Sequence, residues 1–394
     1  MQRSTEETLG ALLEALDGEL AGAVELRRRL HAAPELAHAE HATARVVAEA
    51  LPVAARSVAG TGLLALVGEE GPRPVAVRAE LDGLPVKERT GAPFSATGEA
   101  MHACGHDVHM AALVALARAA TRLGGELPAP LLAVFQPSEE AYPSGARMLA
   151  DDALAEAAPR AVVGAHIHPE LAWGSVALDD GPVNASCDAF EIVIDGRASH
   201  GAYPHHGRDP VLALSEAVVA LHAAASRRVD PLHPASLTVG VLSAGSAENV
   251  IPGTASARGA LRAHRPEDRE LLRELVVEVV AGIAAAHGCT GEARITAGEP
   301  PLCNDGAIVA AGRELLRVAG FALAPAWRSC GSDDFSFFGT LAPVAMAFVG
   351  LDGAPGFLSR PLHHPELLPP DEAVGAVARA LALLYVAATQ TAEA

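Results

Sequence analysis

The chain has 394 residues, half of them hydrophobic and a fifth charged, with a formal charge of −19. That length exceeds one ordinary core, so two domains are expected. The acidic balance disfavours nucleic acid and anionic membranes, which need a basic footprint. Five scattered cysteines, Cys104, Cys187, Cys289, Cys303 and Cys330, suggest no disulfide framework and fit a reducing compartment. The stretch from Met1 to Leu20 carries acids and lacks the segments of a leader, and no uncharged apolar run reaches membrane-spanning length, so a cytoplasmic protein is expected.

Leu9, Leu12, Leu13, Leu16, Leu20 and Val24 recur at helical spacing and predict a helix from about Glu6 to Leu30. Apolar runs at 63–67 and 74–78 read as buried strands. A helix follows over 110–123, then strands at 131–135 and 161–167. Strands alternating with helices predict an α/β architecture with a mixed, mostly parallel sheet flanked by helices.

The pattern changes near Val183. A strand at 190–194, a helix at 210–225, strands at 235–242 and 255–261, a helix at 266–287 and a strand at 293–296 follow in order. That β-α-β-β-α-β succession is a ferredoxin-like, split βαβ unit. It predicts an inserted α+β domain at 183–298 between catalytic segments 1–182 and 299–394. Beyond it come a helix at 305–319, a strand at 344–349 and a terminal helix at 371–388.

Four short segments carry donors that suit a metal: His102-Ala103-Cys104-Gly105-His106-Asp107, Gln136-Pro137-Ser138-Glu139-Glu140, His166-Ile167-His168 and His363-His364. Thiol, imidazole and carboxylate are the ligands of a catalytic transition metal. Each stands where a strand gives way to a loop or just before a helix, and such loops gather at one edge of an open α/β sheet. Neighbouring residues at a strand end diverge, so of Glu139 and Glu140 one carboxylate can bind metal while the other acts as base. Singly, His102, His109, His168 and His364 read equally well as ordinary histidines, Glu139-Glu140 as a solvated pair, and Cys104 as a small buried residue or a nucleophile beside His106. Together the four segments favour metal.

Further motifs extend the pattern: Arg28 to Leu36, Arg78-Ala79-Glu80-Leu81-Asp82-Gly83-Leu84-Pro85, His200 to His205, Asn249-Val250-Ile251-Pro252 and Gly331 to Phe335. With the four segments above and in this order, the chain resembles the metal-dependent amidohydrolases of the aminoacylase and carboxypeptidase superfamily. The branch it is most similar to holds the hippurate hydrolases, indole-acetyl-amino-acid hydrolases and N-acetyl-diaminopimelate deacetylases. The resemblance implies a zinc-peptidase-like catalytic domain binding two divalent ions of zinc, manganese, nickel or cobalt type. It gives Cys104, His106, Glu140, His166 and His363 as ligands, with Cys104 bridging, and Glu139 as general base. Asp82 and Asp107 become partners that orient ligands. The inserted domain becomes a lid and homodimerisation domain whose His200 stabilises an oxyanion in the neighbouring subunit's site. Asn249 and Arg262 become holders of a substrate carboxylate, for which a guanidinium is suited. The expected substrate is a small N-acyl amino acid. A dipeptidase or carboxypeptidase of the same superfamily, or a silent binding relative, is the alternative. Glu80 and Asp333 depart from the usual Asp and Glu, and Ala141 to Gly145 lacks the usual first glycine.

Overall fold

The computed structural model describes residues 5–68 and 73–391. Residues 1–4 and 392–394, the outer ends of the segments assigned above to the catalytic domain, lie outside the described residues. Contacts divide the chain into two units: Met1–Gly181 with Cys303–Trp327 and Asp334–Ala394, and Pro182–Leu302 with Arg328–Asp333. The second unit thus includes a segment beyond the expected 183–298 span. Arg328–Asp333 joins it because Ser329 bridges to Asn184 and Arg262 donates to the carbonyl of Cys330.

In the first unit the apolar runs form an eight-stranded sheet in the order Arg56–Val58, Gly62–Val67, Leu131–Gln136, Val75–Glu80, Ala161–Ala172, Val344–Asp352, Ser175–Ala177, Ala322–Leu323. The four central strands, Leu131–Gln136 to Val344–Asp352 in that order, run parallel. They are almost wholly buried, as strands covered on both faces must be, which is why they read as continuous apolar runs rather than alternating ones. The helices His106–Leu123 and Glu372–Gln390 supply much of the core against this sheet. Glu372–Gln390 is long and apolar enough to cross a membrane by composition, and here its length is absorbed by burial among the other core residues.

Several elements differ from the sequence reading. The first helix is two, Thr5–Asp17 and Leu20–His31, broken at Gly18, a residue of low helical propensity. A helix at His41–Ala50 was not foreseen. The strand expected to end at Ile167 continues to Ala172, so His166 lies within it, opposite Phe348.

In the second unit four antiparallel strands run in the order Ala235–Ala244, Thr254–Ala263, Asp188–Asp195, Thr290–Thr296. With the helices Pro210–Arg228 and Pro266–Ala286 they complete the split βαβ unit. Side chains along Asp188–Asp195 alternate between buried and exposed, the signature of a sheet with one packed face. Phe190, Ile192 and Ile194 meet Leu214, Leu221, Leu272 and Val276 there.

Candidate metal centre

Four loops of the first unit are tied in pairs by bonds from backbone N–H groups. Leu81 donates to the carbonyl of Gln136 at 2.8 Å, and His363 to that of Ala103, also at 2.8 Å. Glu140 N–H donates to Oδ2 of the fully buried Asp82 at 2.9 Å. These bonds draw the segments containing Cys104, Glu139-Glu140 and His363 around the end of the central strands.

The donors converge in two groups that share one sulfur. Cys104, His106 and His166 place one ligand atom each within 4.8 Å of one another, and so do Cys104, Glu140 and His363. His106, Glu139 and Glu140 form a third such group. His166 Nε2 lies 3.4 Å from Cys104 Sγ, His363 Nε2 lies 3.4 Å from Glu140 Oε1, and Glu139 Oε2 lies 3.9 Å from His106 Nε2.

The histidines are fixed in the tautomer a metal needs. His106 Nδ1 bonds the carbonyl of Asp82 at 2.8 Å, and His166 Nδ1 that of Ile167 at 2.6 Å. A carbonyl only accepts, so each Nδ1 carries a proton and each Nε2 is turned to the cluster, where it can bind a metal in place of any proton of its own. His106 Nε2 and Glu140 Oε1 are buried without a hydrogen-bond partner, an arrangement rare in folded proteins unless an ion or water completes it. Burial, with the charges of Glu140 and Glu139, pushes the Cys104 thiol well above its ordinary range. Burial opposes charge on His106, yet Glu80 and Asp82 raise it to about 10. Acids gathered round a buried thiol favour a cation between them, and a bound cation would deprotonate the thiol. The residues fit divalent metal.

His109 is excluded as a ligand by its own bonds. Its Nε2 accepts from Ile167 N–H at 3.1 Å and its Nδ1 donates to Glu80 at 2.8 Å. Glu80 is in turn paired with the buried Arg78, which also meets Gln136 and Asp334. The extra methylene of Glu80 thus spans from Arg78 to His109. Asp107 is engaged by Arg27 at 2.7 Å and His31 at 2.9 Å, anchoring the helix His106–Leu123 to Leu20–His31.

The candidate donor His363 (φ 66°) and Ser138 (φ 51°), next to Glu139, adopt the left-handed backbone that non-glycine residues avoid. Gly105 (φ 85°) caps the helix carrying His106, and a Cβ there would lie 2.3 Å from Ile167 Cδ1. The chain returns over the turn so closely that a Cβ on Gly145 would lie 1.7 Å from the carbonyl oxygen of Pro137.

The remaining sequence candidates belong to the second unit. His200 sits on a two-residue strand paired with Val250–Ile251. Its Nδ1 accepts from Ala202 N–H at 3.0 Å, leaving the proton on Nε2 of an exposed ring. Asn249 is exposed and its carbonyl accepts from Gly201. Arg262, on Thr254–Ala263, donates one nitrogen to Cys330 at 2.9 Å.

Thiol, imidazole and carboxylate donors around a buried sulfur, with a second carboxylate beside them, make up the equipment of a metal-dependent hydrolase. The chain belongs to the peptidase family M20/M25/M40, whose model matches residues 76–386, and is an amidohydrolase. It is 36% identical over 91% of its length to an N-acetyl-L-cysteine deacetylase of Bacillus subtilis, covering 86% of that protein. It is 32% identical to an N-acetyldiaminopimelate deacetylase of Bacillus licheniformis, over 91% of this chain and 96% of that one. A solved dinuclear metal binding peptidase of the M20 family from Bacillus subtilis superposes with a TM-score of 0.82 at 29% identity, covering 94% of this chain and 98% of that one. That likeness and the clustered donors support the use of divalent metal.

Proposed function

We propose that the chain hydrolyses the amide bond of N-acyl amino acids. The observation that carries this reading is the Cys104 sulfur shared by two ligand groups, with the Glu139 carboxylate against one of them. The naming of two relatives as deacetylases of N-acetylated amino acids supports the substrate class.

Cys104, His106 and His166 would hold one ion, and Cys104, Glu140 and His363 the other. Two divalent ions in those places would make a water more acidic and polarise the scissile carbonyl. Glu139, whose side chain is only 13% exposed, takes the water's proton at Oε2. It then delivers that proton to the departing amine, so the base returns to its starting form. Asp82 holds the frame: its carbonyl orients His106 and its carboxylate orients the backbone of Glu140. In the second unit, His200 would offer Nε2–H to the oxyanion formed in the neighbouring subunit's site, and Asn249 with Arg262 would help hold the substrate's carboxylate. We extend the proposal to zinc, manganese, nickel or cobalt as the ions, to a homodimer formed through the second unit as a lid, and to a cytoplasmic location.

Replacing Glu139 with Gln tests the chemistry. Metal content should stay unchanged while turnover of N-acetyl-L-cysteine falls at least about a hundredfold. Full activity of that variant overturns the assignment. A panel of acetyl and benzoyl amino acids against dipeptides separates acyl-amino-acid hydrolysis from peptidase action.

A further inference from the structure

The turn that presents Glu139 and Glu140 is held from a distant part of the chain. Glu40 precedes the helix His41–Ala50 and is fully buried. Its Oε1 accepts the backbone N–H of Ser138 at 2.7 Å and faces Ser138 Oγ at 3.3 Å. Its Oε2 accepts from Thr61 Oγ1 at 2.7 Å. Ser138 Oγ is further occupied by the N–H of His38 at 2.8 Å and faces its Nδ1 at 2.9 Å.

Ser138 is the residue whose left-handed backbone turns the chain between the strand Leu131–Gln136 and the two glutamates. A serine keeps such a conformation only where its surroundings impose it. The strongest acceptor bonded to that backbone is the Glu40 carboxylate, and a carboxylate on a peptide N–H makes a charge-assisted bond.

We propose that Glu40 is a positioning residue for the reaction: its carboxylate locks Ser138 in the left-handed region and so fixes the directions in which Glu139 and Glu140 leave the turn. The inference rests on the reading of Glu139 as base and Glu140 as ligand. Glu40 donates nothing to the substrate and acts through the backbone of Ser138.

The test uses the full-length, metal-loaded protein. In Glu40→Gln, an amide replaces the carboxylate at nearly constant volume. We expect kcat to fall roughly 10–100-fold with KM changed less than about threefold, because the base is displaced rather than the substrate lost. Zinc affinity, measured without substrate by chelator competition, should weaken about tenfold because Glu140 shifts with the turn. Glycine occupies the left-handed region freely, so adding Ser138→Gly to Glu40→Gln should restore at least about half of the lost free energy of activation. Should Glu40→Gln not fold, Glu40→Asp, which retracts the carboxylate by one methylene, carries the same measurements. A lowered Tm with kcat and zinc affinity unchanged, or strictly additive effects of the two substitutions, overturns the proposal. Glu139→Gln is measured alongside. If that variant is active the base assignment falls, while the zinc-affinity result still judges Glu40 by itself.

Discussion

Cys104 Sγ lies 3.4 Å from Nε2 of His166, and the bond from His166 Nδ1 to the Ile167 carbonyl decides which ring nitrogen faces the sulfur. The strand thereby selects the tautomer. Because Cys104 also belongs to the group with Glu140 and His363, the sulfur joins two groups of candidate donors, one of which reaches to His363, more than two hundred residues further along the chain.

Cys104→Ala therefore should disturb both sets at once. Metal per chain, measured by elemental analysis after dialysis, should fall for both ions, whereas His363→Ala should affect chiefly one. Equal residual metal in the two variants would contradict a shared sulfur. Hydrolysis should be lost in Cys104→Ala.

Gly105→Ala places a methyl group where Ile167 already sits and forces a left-handed backbone on alanine. The expected cost is at least about 2 kcal/mol, read as a lowered Tm. Because Ile167 accepts from His166, metal affinity should fall as well. A variant with unchanged Tm would show that the Cys104–His106 loop is looser than its packing implies.

His31 bridges Asp107 and Glu88, 2.9 and 3.1 Å from its ring nitrogens. Burial works against its charge, but Asp107 and Glu88 raise it to about 9. A raised folded-state value means the stabilisation is fully present below the free histidine's value, near 6.5, and is lost as pH rises through about 9. Thermal melts across that window should show stability declining, and His31→Gln should flatten the decline. An unchanged slope in the variant would assign it to other groups.

In the second unit the fully buried carboxylate of Asp188 accepts from both Arg269 and Arg273, at 2.6–2.9 Å. Burial alone would raise it, yet the two guanidiniums hold it at about 2. A depressed folded-state value gives stability that is present above about pH 4 and lost as pH falls toward 2. Asp188→Asn should cost about 3 kcal/mol at neutral pH, since it leaves two arginines facing one neutral amide. Denaturant melts at pH 7 and pH 3 should show the gap between variant and parent closing at the lower pH.

The main elements were legible because their periodicity is strong. The buried strands Val75–Glu80 and Leu131–Gln136 are uninterrupted apolar runs apart from Arg78, Glu80 and Gln136, and those three polar residues serve one another and Asp334. The clustering of the donor segments was legible because thiol, imidazole and carboxylate are rare so close together. The break at Gly18 was hidden by leucine spacing that continues on both sides of it. The apolar spacing starts the helix only at Met110, whereas it begins at His106, with Gly105 as the cap. In the sequence Glu80 stands out only as a departure in length; its pairing with His109 depends on a helix packing over a strand, which spacing does not encode. Glu40 leaves no signal, because the backbone N–H of Ser138 has no letter in a sequence and its side-chain partners, Thr61 and Ser138, meet it only through tertiary packing.

The close pass of Gly145 over Pro137 bears on how this site can be altered. The segment Pro137 to Glu140 looks like a self-contained motif, yet its shape is imposed by Glu40 a hundred residues earlier and by a glycine five residues later that admits no side chain. Moved alone into another scaffold, those four residues would not keep their geometry. The transferable piece is the whole enclosure around the turn, so changes to this framework are better sought outside the turn that carries Glu139 and Glu140.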